Sequence, residues 1–184
     1  MSDPKSDLRA RMRALRATLA AAAPDAGTRL ALPLSPRIVA GYRPFRDEID
    51  PLPLMLKLAA AGARLALPVT PPRDQPSSLT FHAWSPGEAL AAGGFGVHEP
   101  TGGEVVIPDL ILVPLLAFDR RGHRLGYGQG HFDRTLEALR KTGAITAVGL
   151  AYAGQEVAGL PDEPHDQALD AILTEKEYIR VRKD

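Results

Sequence analysis

Two adjoining segments are the most informative about the fold: the apolar Leu110-Ile-Leu-Val-Pro-Leu-Leu-Ala-Phe118 and the polar, glycine-rich Asp119-Arg-Arg-Gly-His-Arg-Leu-Gly-Tyr-Gly-Gln-Gly-His-Phe-Asp133. The first part is the nearly continuous apolar run expected of a central parallel strand that is covered on both faces. The second part places glycines at alternate positions, and apolar residues at helical spacing follow it over His131–Lys141. The sequence therefore predicts a buried strand, a glycine loop and a helix in succession.

A glycine loop at the entrance to a helix is suited to binding phosphate. Gly126, Gly128 and Gly130 permit positive φ angles and a close approach of a ligand to the main chain. The free N–H groups and the dipole of the helix attract anions. Arg124 could add a phosphate-binding cation, and Asp133 a magnesium-binding carboxylate. The alternative is a tight turn that uses glycine for its geometry alone.

The loop matches neither of two common phosphate-binding motifs. It is not a Walker A loop, because no Gly-Lys-[Ser/Thr] ends it. It is not the dinucleotide fingerprint, because His131 stands in the place of the third glycine when counting starts at Gly126. Its position after a central strand is informative, since open α/β sheets bind ligands at the carboxyl ends of their strands.

Strand-like and helical patterns alternate along the rest of the chain. We predict helices at 4–23 and 51–61, a short helix or loop up to residue 32, a helical turn at 86–92, an irregular segment at 93–103, and strands at 37–42, 64–69, 79–84, 144–152, 169–174 and 178–182. This alternation predicts a three-layer α/β/α sandwich around a mostly parallel, Rossmann-like sheet. The length of 184 residues is that of a single domain, 1–184.

The composition excludes several classes of function. Lys plus Arg equals Asp plus Glu at 22 each, so no global field favours nucleic acid or an anionic membrane as a partner. No cysteine is present, which excludes disulfides, thiolate zinc sites and cysteine nucleophiles. No apolar run approaches the length of a membrane span, and Asp3 and Asp7 argue against a transit peptide. We expect a cytoplasmic protein.

The first helix carries a basic stripe beside its apolar face, formed by Lys5, Arg9, Arg13 and Arg16. Long basic side chains often lie along the rim of an apolar surface with their charges in water, and that interpretation remains open. The glycine loop, however, has no lysine of its own. An ATP site here would need cations from elsewhere, and Lys5 and Arg9 could supply them.

Three acidic residues are candidates for binding a metal or a substrate. Magnesium is usually held by one or two carboxylates together with substrate phosphates. Asp133 and Asp166, the latter in Glu163-Pro-His-Asp166, could form such a pair, although helix-dipole stabilisation or a surface turn would also explain them. Glu48 follows a predicted strand in a loop that could reach the same crevice, or it could simply be solvated.

Taken together, these segments resemble the 5-formyltetrahydrofolate cyclo-ligase (5,10-methenyltetrahydrofolate synthetase) family over nearly the whole chain. The resemblance is carried by Lys5-Ser-Asp-Leu-Arg9, Asp47-Glu-Ile-Asp50, Phe95-Gly-Val-His-Glu-Pro100, Asp109-Leu-Ile-Leu-Val-Pro114, Ala117-Phe-Asp119, Gly122–Arg134 and Pro164-His-Asp166. It implies a three-layer α/β/α fold. It also implies ATP- and magnesium-dependent cyclisation of 5-formyltetrahydrofolate to 5,10-methenyltetrahydrofolate, with release of ADP and phosphate.

The resemblance also implies roles for individual residues. Lys5 and Arg9 would bind ATP phosphates, Asp133 and Asp166 would hold Mg2+, and Arg124 with Asp133 would act in catalysis. Arg43 and Glu48 would contact the folate, as would Tyr127 and His131. The nucleotide loop would comprise Arg124, Leu125, Gly126, Tyr127, Gly128, Gln129, Gly130, His131 and Phe132.

This chain departs from the family at three positions of the loop. The family commonly has glycine at 129 and tyrosine at 131 and 132, where this chain has Gln129, His131 and Phe132. We expect 5-formyltetrahydrofolate as the small-molecule partner and a monomer or weak homodimer. Two alternatives remain: a phosphosugar isomerase or CoA-transferase-like protein that consumes no ATP, and a non-catalytic nucleotide- or folate-binding module.

Overall fold

The computed structural model describes residues 4–72, 74 and 77–182. Within these residues the α-helices are α1 (Pro4–Ala22), α2 (Ala26–Arg29), α3 (Leu52–Ala60) and α4 (His131–Thr142). The strands are β1 (Ile38–Ala40), β2 (Arg64–Val69), β3 (Thr80–Ala83), β4 (Leu90–Ala92), β5 (His98–Pro100), β6 (Val105–Val106), β7 (Leu110–Pro114), β8 (Ala117–Phe118), β9 (Arg124–Leu125), β10 (Thr146–Leu150), β11 (Ala171–Leu173) and β12 (Tyr178–Arg180).

An eight-stranded sheet forms the centre, in the order β12-β11-β10-β7-β1-β2-β3-β6. The five central strands, from β11 to β2, pair in parallel. The outer strands β12, β3 and β6 pair antiparallel. The order reverses between β1 and β7: the chain builds outward from β1 to β2 and then returns to place β7 on the other side of β1. In the part of the chain described here, no helix has the length and apolar character to cross a bilayer.

Alternate residues of the central strands supply two separate cores. On one face Val39, Leu65 and Leu112 pack with Leu54 and other apolar residues of α1, α2 and α3. On the other face Ala40, Ala66, Ile111 and Val113 pack with Leu136 and its neighbours on α4. The residues of β7 are therefore buried on both sides, as its apolar run predicts. The mostly parallel sheet between layers of helices confirms the predicted α/β fold class.

The predicted strand over 110–118 is too long. β7 ends at Pro114, and Ala117–Phe118 pairs instead with β9 in a separate two-stranded sheet. The break is stabilised by polar groups that bind the freed main chain: the buried Gln155 amide donates to the carbonyls of Leu115 and Leu116, at 3.0 and 2.9 Å. An apolar run alone cannot reveal where such partners interrupt it.

The predicted helical turn at 86–92 and the irregular segment after it are also wrong in part. Leu90–Ala92 and His98–Pro100 form a two-stranded antiparallel sheet. The turn between them is closed by a 2.8 Å hydrogen bond from the Gly93 N–H to the Val97 carbonyl. Short strands of this kind depend on their pairing partner rather than on a local pattern, so the sequence shows them poorly.

Candidate active site at the carboxyl ends of the parallel strands

A crevice of about 740 Å³ lies at the carboxyl ends of the parallel strands. It is lined by segments that follow β1, β2, β7 and β10, and by the first turns of α1. The reversal of strand order between β1 and β7 explains this location, because the connections leave the sheet in opposite directions there. Its volume lies within the range of about 300–1,000 Å³ that is usual for ligand pockets.

The glycine loop forms one wall of the crevice. Gly128 and Gly130 have φ angles of +91° and +67°, in the region that favours glycine. Gly126 does not share this conformation; its carbonyl accepts a 3.1 Å hydrogen bond from Nε of Arg9. Gly130 is the N-cap of α4, and no side chain forms a capping hydrogen bond with the first N–H groups of this helix. The first N–H groups of α4 therefore face a position where an anion is stabilised.

Three cations surround this wall. Arg9 lies against Gly128, where an added Cβ would meet its Nη2 at 3.4 Å. The Lys5 ammonium donates to Oε1 of Glu163 at 2.6 Å and lies 3.7 Å from Oδ2 of Asp166. Burial lowers the pKa of Lys5, but the hydrogen bond to Glu163 and the charge of Asp166 outweigh this and leave the pKa raised. Lys5 is consequently a cation at neutral pH.

The third cation, Arg124, is bound to the first turn of α4. Its Nη2 donates to Oδ1 of Asp133 at 2.7 Å, and the same oxygen accepts from the Gln167 N–H at 2.9 Å. Both side chains are largely buried, at 7% and 20% exposure. Asp133 thus orients Arg124 along the crevice and joins α4 to the loop that carries Asp166.

Carboxylates and one imidazole gather on that loop. Ligand atoms of Glu163, His165 and Asp166 lie within 4.8 Å of one another, a spacing that a metal ion could bridge. Asp166 Oδ2 accepts from the Glu163 N–H at 2.9 Å, which closes the turn. The oxygen atoms suit Mg2+, which prefers carboxylates and water. Asp133 and Asp166 both line the crevice, and a shared role in binding a metal remains a prediction.

A buried carboxylate, Asp119, connects the turn before the glycine loop to the loop that carries Asp166. Asp119, only 1% exposed, accepts hydrogen bonds from the main-chain N–H groups of Arg121, His123 and Leu160 at 2.9, 3.2 and 3.0 Å. Burial raises its pKa, but these bonds and the His123 ring outweigh burial, so the pKa lies below its usual value. Asp119 therefore ties the turn before the glycine loop to the start of the Leu160–Asp166 segment.

Glu48 and Tyr127 form the opposite side of the crevice. Oε2 of Glu48 accepts from the Phe45 N–H at 2.8 Å, and the carboxylate also hydrogen bonds with the Tyr127 hydroxyl. Burial raises the pKa of Glu48 to about 7; the Phe45 N–H, the Arg16 charge and the Tyr127 hydroxyl oppose that rise only in part. The Phe45 ring packs edge-on against the Tyr127 ring, with centroids 6.1 Å apart. This side offers an acceptor beside aromatic surface.

His131, at the start of α4, contacts another aromatic ring of the crevice. The Phe95 ring packs against the imidazole at 5.5 Å between centroids. Burial lowers the pKa of His131, and the nearby Arg134 charge lowers it further. The imidazole is therefore neutral at physiological pH. The tyrosine that is common at position 131 in the family that the sequence resembles is also neutral.

Every residue that the sequence analysis assigned to nucleotide, folate or magnesium lines this crevice. Other residues line the crevice although their sequence context assigns them no role, among them Thr70 and Glu99, a lone loop acid that in isolation would be taken for solvated surface. Glu99 is 9% exposed, and its Oε1 accepts from the Thr70 N–H at 3.0 Å and from the Thr70 hydroxyl. Thr70 directly follows β2, so its position after a parallel strand was an available signal.

The sheet order, the open helix N-terminus and the surrounding cations define an α/β protein with an anion-binding crevice at its switch point. Comparison with known proteins identifies the family within this class of α/β proteins. The sequence profile of the 5-formyltetrahydrofolate cyclo-ligase family matches residues 1–175. The chain belongs to that family, which confirms the resemblance found in its motifs.

Individual relatives agree. The chain is 38% identical over 160 residues to the 5-formyltetrahydrofolate cyclo-ligase of Mycolicibacterium smegmatis, covering 80% of this chain and 78% of the relative. It is 37% identical over 141 residues to the Escherichia coli K12 protein of the same name, covering 74% and 76%.

Solved structures agree as well. The NMR structure of Aquifex aeolicus 5,10-methenyltetrahydrofolate synthetase superimposes with a TM-score of 0.72 at 30% identity, covering 98% of this chain and 94% of that one. The Mycoplasma pneumoniae 5,10-methenyltetrahydrofolate synthetase, at 21% identity and a TM-score of 0.70, covers 94% of this chain and 99% of that one and supports the fold.

Proposed function

We propose that this enzyme converts 5-formyltetrahydrofolate to 5,10-methenyltetrahydrofolate and consumes ATP in a magnesium-dependent reaction. The observation that carries the proposal is the convergence of Lys5, Arg9 and Arg124 in the crevice that the glycine loop lines, with a buried acceptor, Glu48, in the same crevice. A triphosphate needs the cationic wall, and a folate offers N–H donors to the carboxylate. Membership of the cyclo-ligase family supports the pairing of these two substrates.

The chemistry explains why phosphate must be handled. The formamide oxygen at N5 is a poor leaving group, so N10 cannot displace it directly. Transfer of the γ-phosphoryl group to that oxygen breaks its bond to ADP and makes the formyl carbon electrophilic. The N10 lone pair then forms the new C–N bond and N10 loses its proton. The C–O bond breaks with its electrons leaving on phosphate, and the methenyl bridge remains.

The protein contributes position and charge rather than a nucleophile. The γ-phosphoryl group must lie in line with the formyl oxygen, and its charge must be neutralised as it moves. Lys5, Arg9 and Arg124 would bind phosphate oxygens, together with main-chain N–H groups of the loop from 124 to 132. Bound magnesium would neutralise phosphate charge. Asp133 and Asp166 would hold the metal, with Asp133 using Oδ2, since Oδ1 accepts from Arg124 and Gln167.

The opposite side of the crevice would bind the folate. We assign Glu48 and Tyr127 to it, with Arg43 and His131 at its margins. The edge-on pairs of Phe45 with Tyr127 and of Phe95 with His131 present aromatic surface for a flat heterocycle. Glu48 beside this surface would accept a hydrogen bond from a ring N–H group.

The test is direct. The purified protein is incubated with 5-formyltetrahydrofolate, ATP and magnesium, while methenyltetrahydrofolate absorbance and phosphate release are followed together. We expect equal amounts of both products and none without ATP. Product without ATP, or no product from a folded preparation, would contradict the proposal and return attention to an ATP-independent phosphate-binding enzyme or a binding module.

A further inference from the structure

Arg16 occupies an unusual place at the base of the crevice. The basic stripe of α1 continues from Lys5 through Arg9 and Arg13, but Arg16 is 2% exposed whereas those three reach the crevice. Its Nη1 donates to the Leu115 carbonyl at 3.3 Å and lies 3.7 Å from Oε1 of Glu48. Burying a guanidinium is costly unless its surroundings compensate, so its partners are informative.

Two of the side chains that Arg16 contacts, Glu48 and Tyr127, line the crevice. Its Nη2 donates to the Tyr127 hydroxyl, and its guanidinium lies 5.6 Å from the centre of the Tyr127 ring. Within residues 4–72, 74 and 77–182, its Nε is buried without a hydrogen-bond partner. A buried N–H left unsatisfied costs about 1–3 kcal/mol. The contacts of Arg16 therefore fix the geometry of the site, although the unsatisfied Nε–H makes its burial unfavourable for the stability of the core.

We propose that Arg16 is a positioning residue of the cyclo-ligase reaction, which holds Glu48 and Tyr127 in place on the folate side of the crevice without touching the substrate. The inference rests on the proposed function for the identity of the folate. One cation contacts both side chains, and it is fixed by the carbonyl of Leu115, where β7 has just ended. Loss of its charge would release the two side chains together.

The same contact also favours the ionised form of Glu48 against the burial that raises its pKa. The charged or titratable groups around this carboxyl are Arg16 from α1, Tyr127 from the glycine loop and Tyr42 from the segment after β1. Arg13 lies on the same Tyr127 ring, at 5.7 Å. Of these, Arg16 is the cation that lowers the pKa of Glu48, against the burial that raises it. Without Arg16, more of Glu48 would be protonated at neutral pH, and it would accept a substrate N–H less well.

The experiment compares Arg16→Met with the charge-retaining Arg16→Lys and with Arg11→Met, a control on the exposed face of the same helix. For Arg16→Met we expect the KM for 5-formyltetrahydrofolate to rise at least about tenfold, with the KM for ATP changed less than about twofold. The acidic limb of kcat/KM for the folate should move to higher pH. Arg16→Lys should recover part of the loss, and Arg11→Met should match the wild type.

A second measurement needs no activity. Carboxyl NMR of protein labelled with 13C-glutamate, assigned with Glu48→Gln, follows the titration of Glu48 directly. Removing a neighbouring cation should raise this pKa by about one unit or more in Arg16→Met. An unchanged titration, or equal weakening of ATP and folate, would overturn the proposal. If Arg16→Met does not fold, Arg16→Gln, which also removes the charge but keeps hydrogen-bonding groups, is tested by the same two measurements. An inactive wild type would count against the proposed function, while the titration would still decide the role of Arg16.

Discussion

Arg124 and Asp133 form a 2.7 Å ion pair across the glycine loop, between β9 and the first turn of α4. The pair presents a cation to the crevice while it fixes the carboxylate that we assign to magnesium. Because Gln167 N–H binds the same oxygen, a single carboxyl group connects the loop, the helix and the Asp166 segment. Substitution of Asp133 should therefore weaken phosphate binding more than substitution of any other acidic residue of α4.

For Asp133→Ala we expect turnover to fall at least about 100-fold, equivalent to about 2.7 kcal/mol in the barrier. The loss follows from a missing metal ligand and a misdirected Arg124. Steady-state turnover as a function of magnesium concentration measures it. Glu137→Ala, on an exposed position of the same helix, is the control and should leave turnover unchanged. Normal turnover of Asp133→Ala at limiting magnesium would show that Asp133 is not a ligand.

Lys5→Ala should raise the KM for ATP about tenfold, which corresponds to about 1.4 kcal/mol of lost binding. Stability should change little, since a partly exposed ion pair such as Lys5–Glu163 contributes at most about 1 kcal/mol. Initial rates at varied ATP, with Arg11→Ala as the matched control, measure the effect. An unaltered KM for ATP would place Lys5 among basic side chains that merely cover apolar surface.

Glu48 should make stability depend on pH. In the unfolded chain it ionises near 4.5, whereas burial raises its pKa in the folded protein to about 7. Between these values the folded state holds the proton more tightly, so the free energy of unfolding falls as pH rises. From pH 5 to pH 8 this should lower the free energy of unfolding of the wild type by about 2–3 kcal/mol.

Glu48→Gln tests this pH dependence. The variant cannot ionise at position 48, so its stability relative to the wild type should increase by that amount between pH 5 and pH 8. Urea unfolding of both proteins at the two pH values measures the change. A difference between the two proteins that stays constant with pH would show that Glu48 titrates normally.

Asp119→Ala should lower the free energy of unfolding by at least about 3 kcal/mol, because main-chain N–H groups lose their buried acceptor. The wild-type contribution of Asp119 should weaken as pH falls through its depressed pKa. Urea unfolding checks both effects. Asp162→Ala, whose carboxyl is 64% exposed, is the control. Equal stability of Asp119→Ala and Asp162→Ala would show that Asp119 does not stabilise the two loops.

The sequence predicted those parts of the site that are contiguous. The glycine loop, Arg124 and Asp133 lie within ten residues, so local geometry alone brings them together. Lys5 and Arg9 share one helix face, and the strand ends that carry Glu48 and Asp166 meet at one edge of a parallel sheet. Even so, Gly126 departs from the positive-φ conformation of the other two glycines, and its carbonyl accepts a hydrogen bond from Arg9, a contact that the loop sequence alone does not show.

The parts that escaped prediction depend on contacts between distant segments. Arg16 has the same sequence context as Arg13, and its burial follows only from the packing of α1 over Leu115 and Tyr127. The hairpin that presents Glu99 forms by pairing two strands of three residues each, too short for their alternation to be read. The end of β7 at Pro114 depends on Gln155, forty residues away.

The Lys5–Glu163 ion pair joins positions 158 residues apart. Its two ends come from the first turn of α1 and from a loop beyond β10, so this contact cannot form within one local segment. Contacts of such long range are formed late, after the entropy of closing the intervening chain has been overcome. A growing chain on the ribosome would therefore complete the proposed nucleotide site only once residue 163 had emerged. If that proposal holds, tight ATP binding would report that the two distant segments have come together.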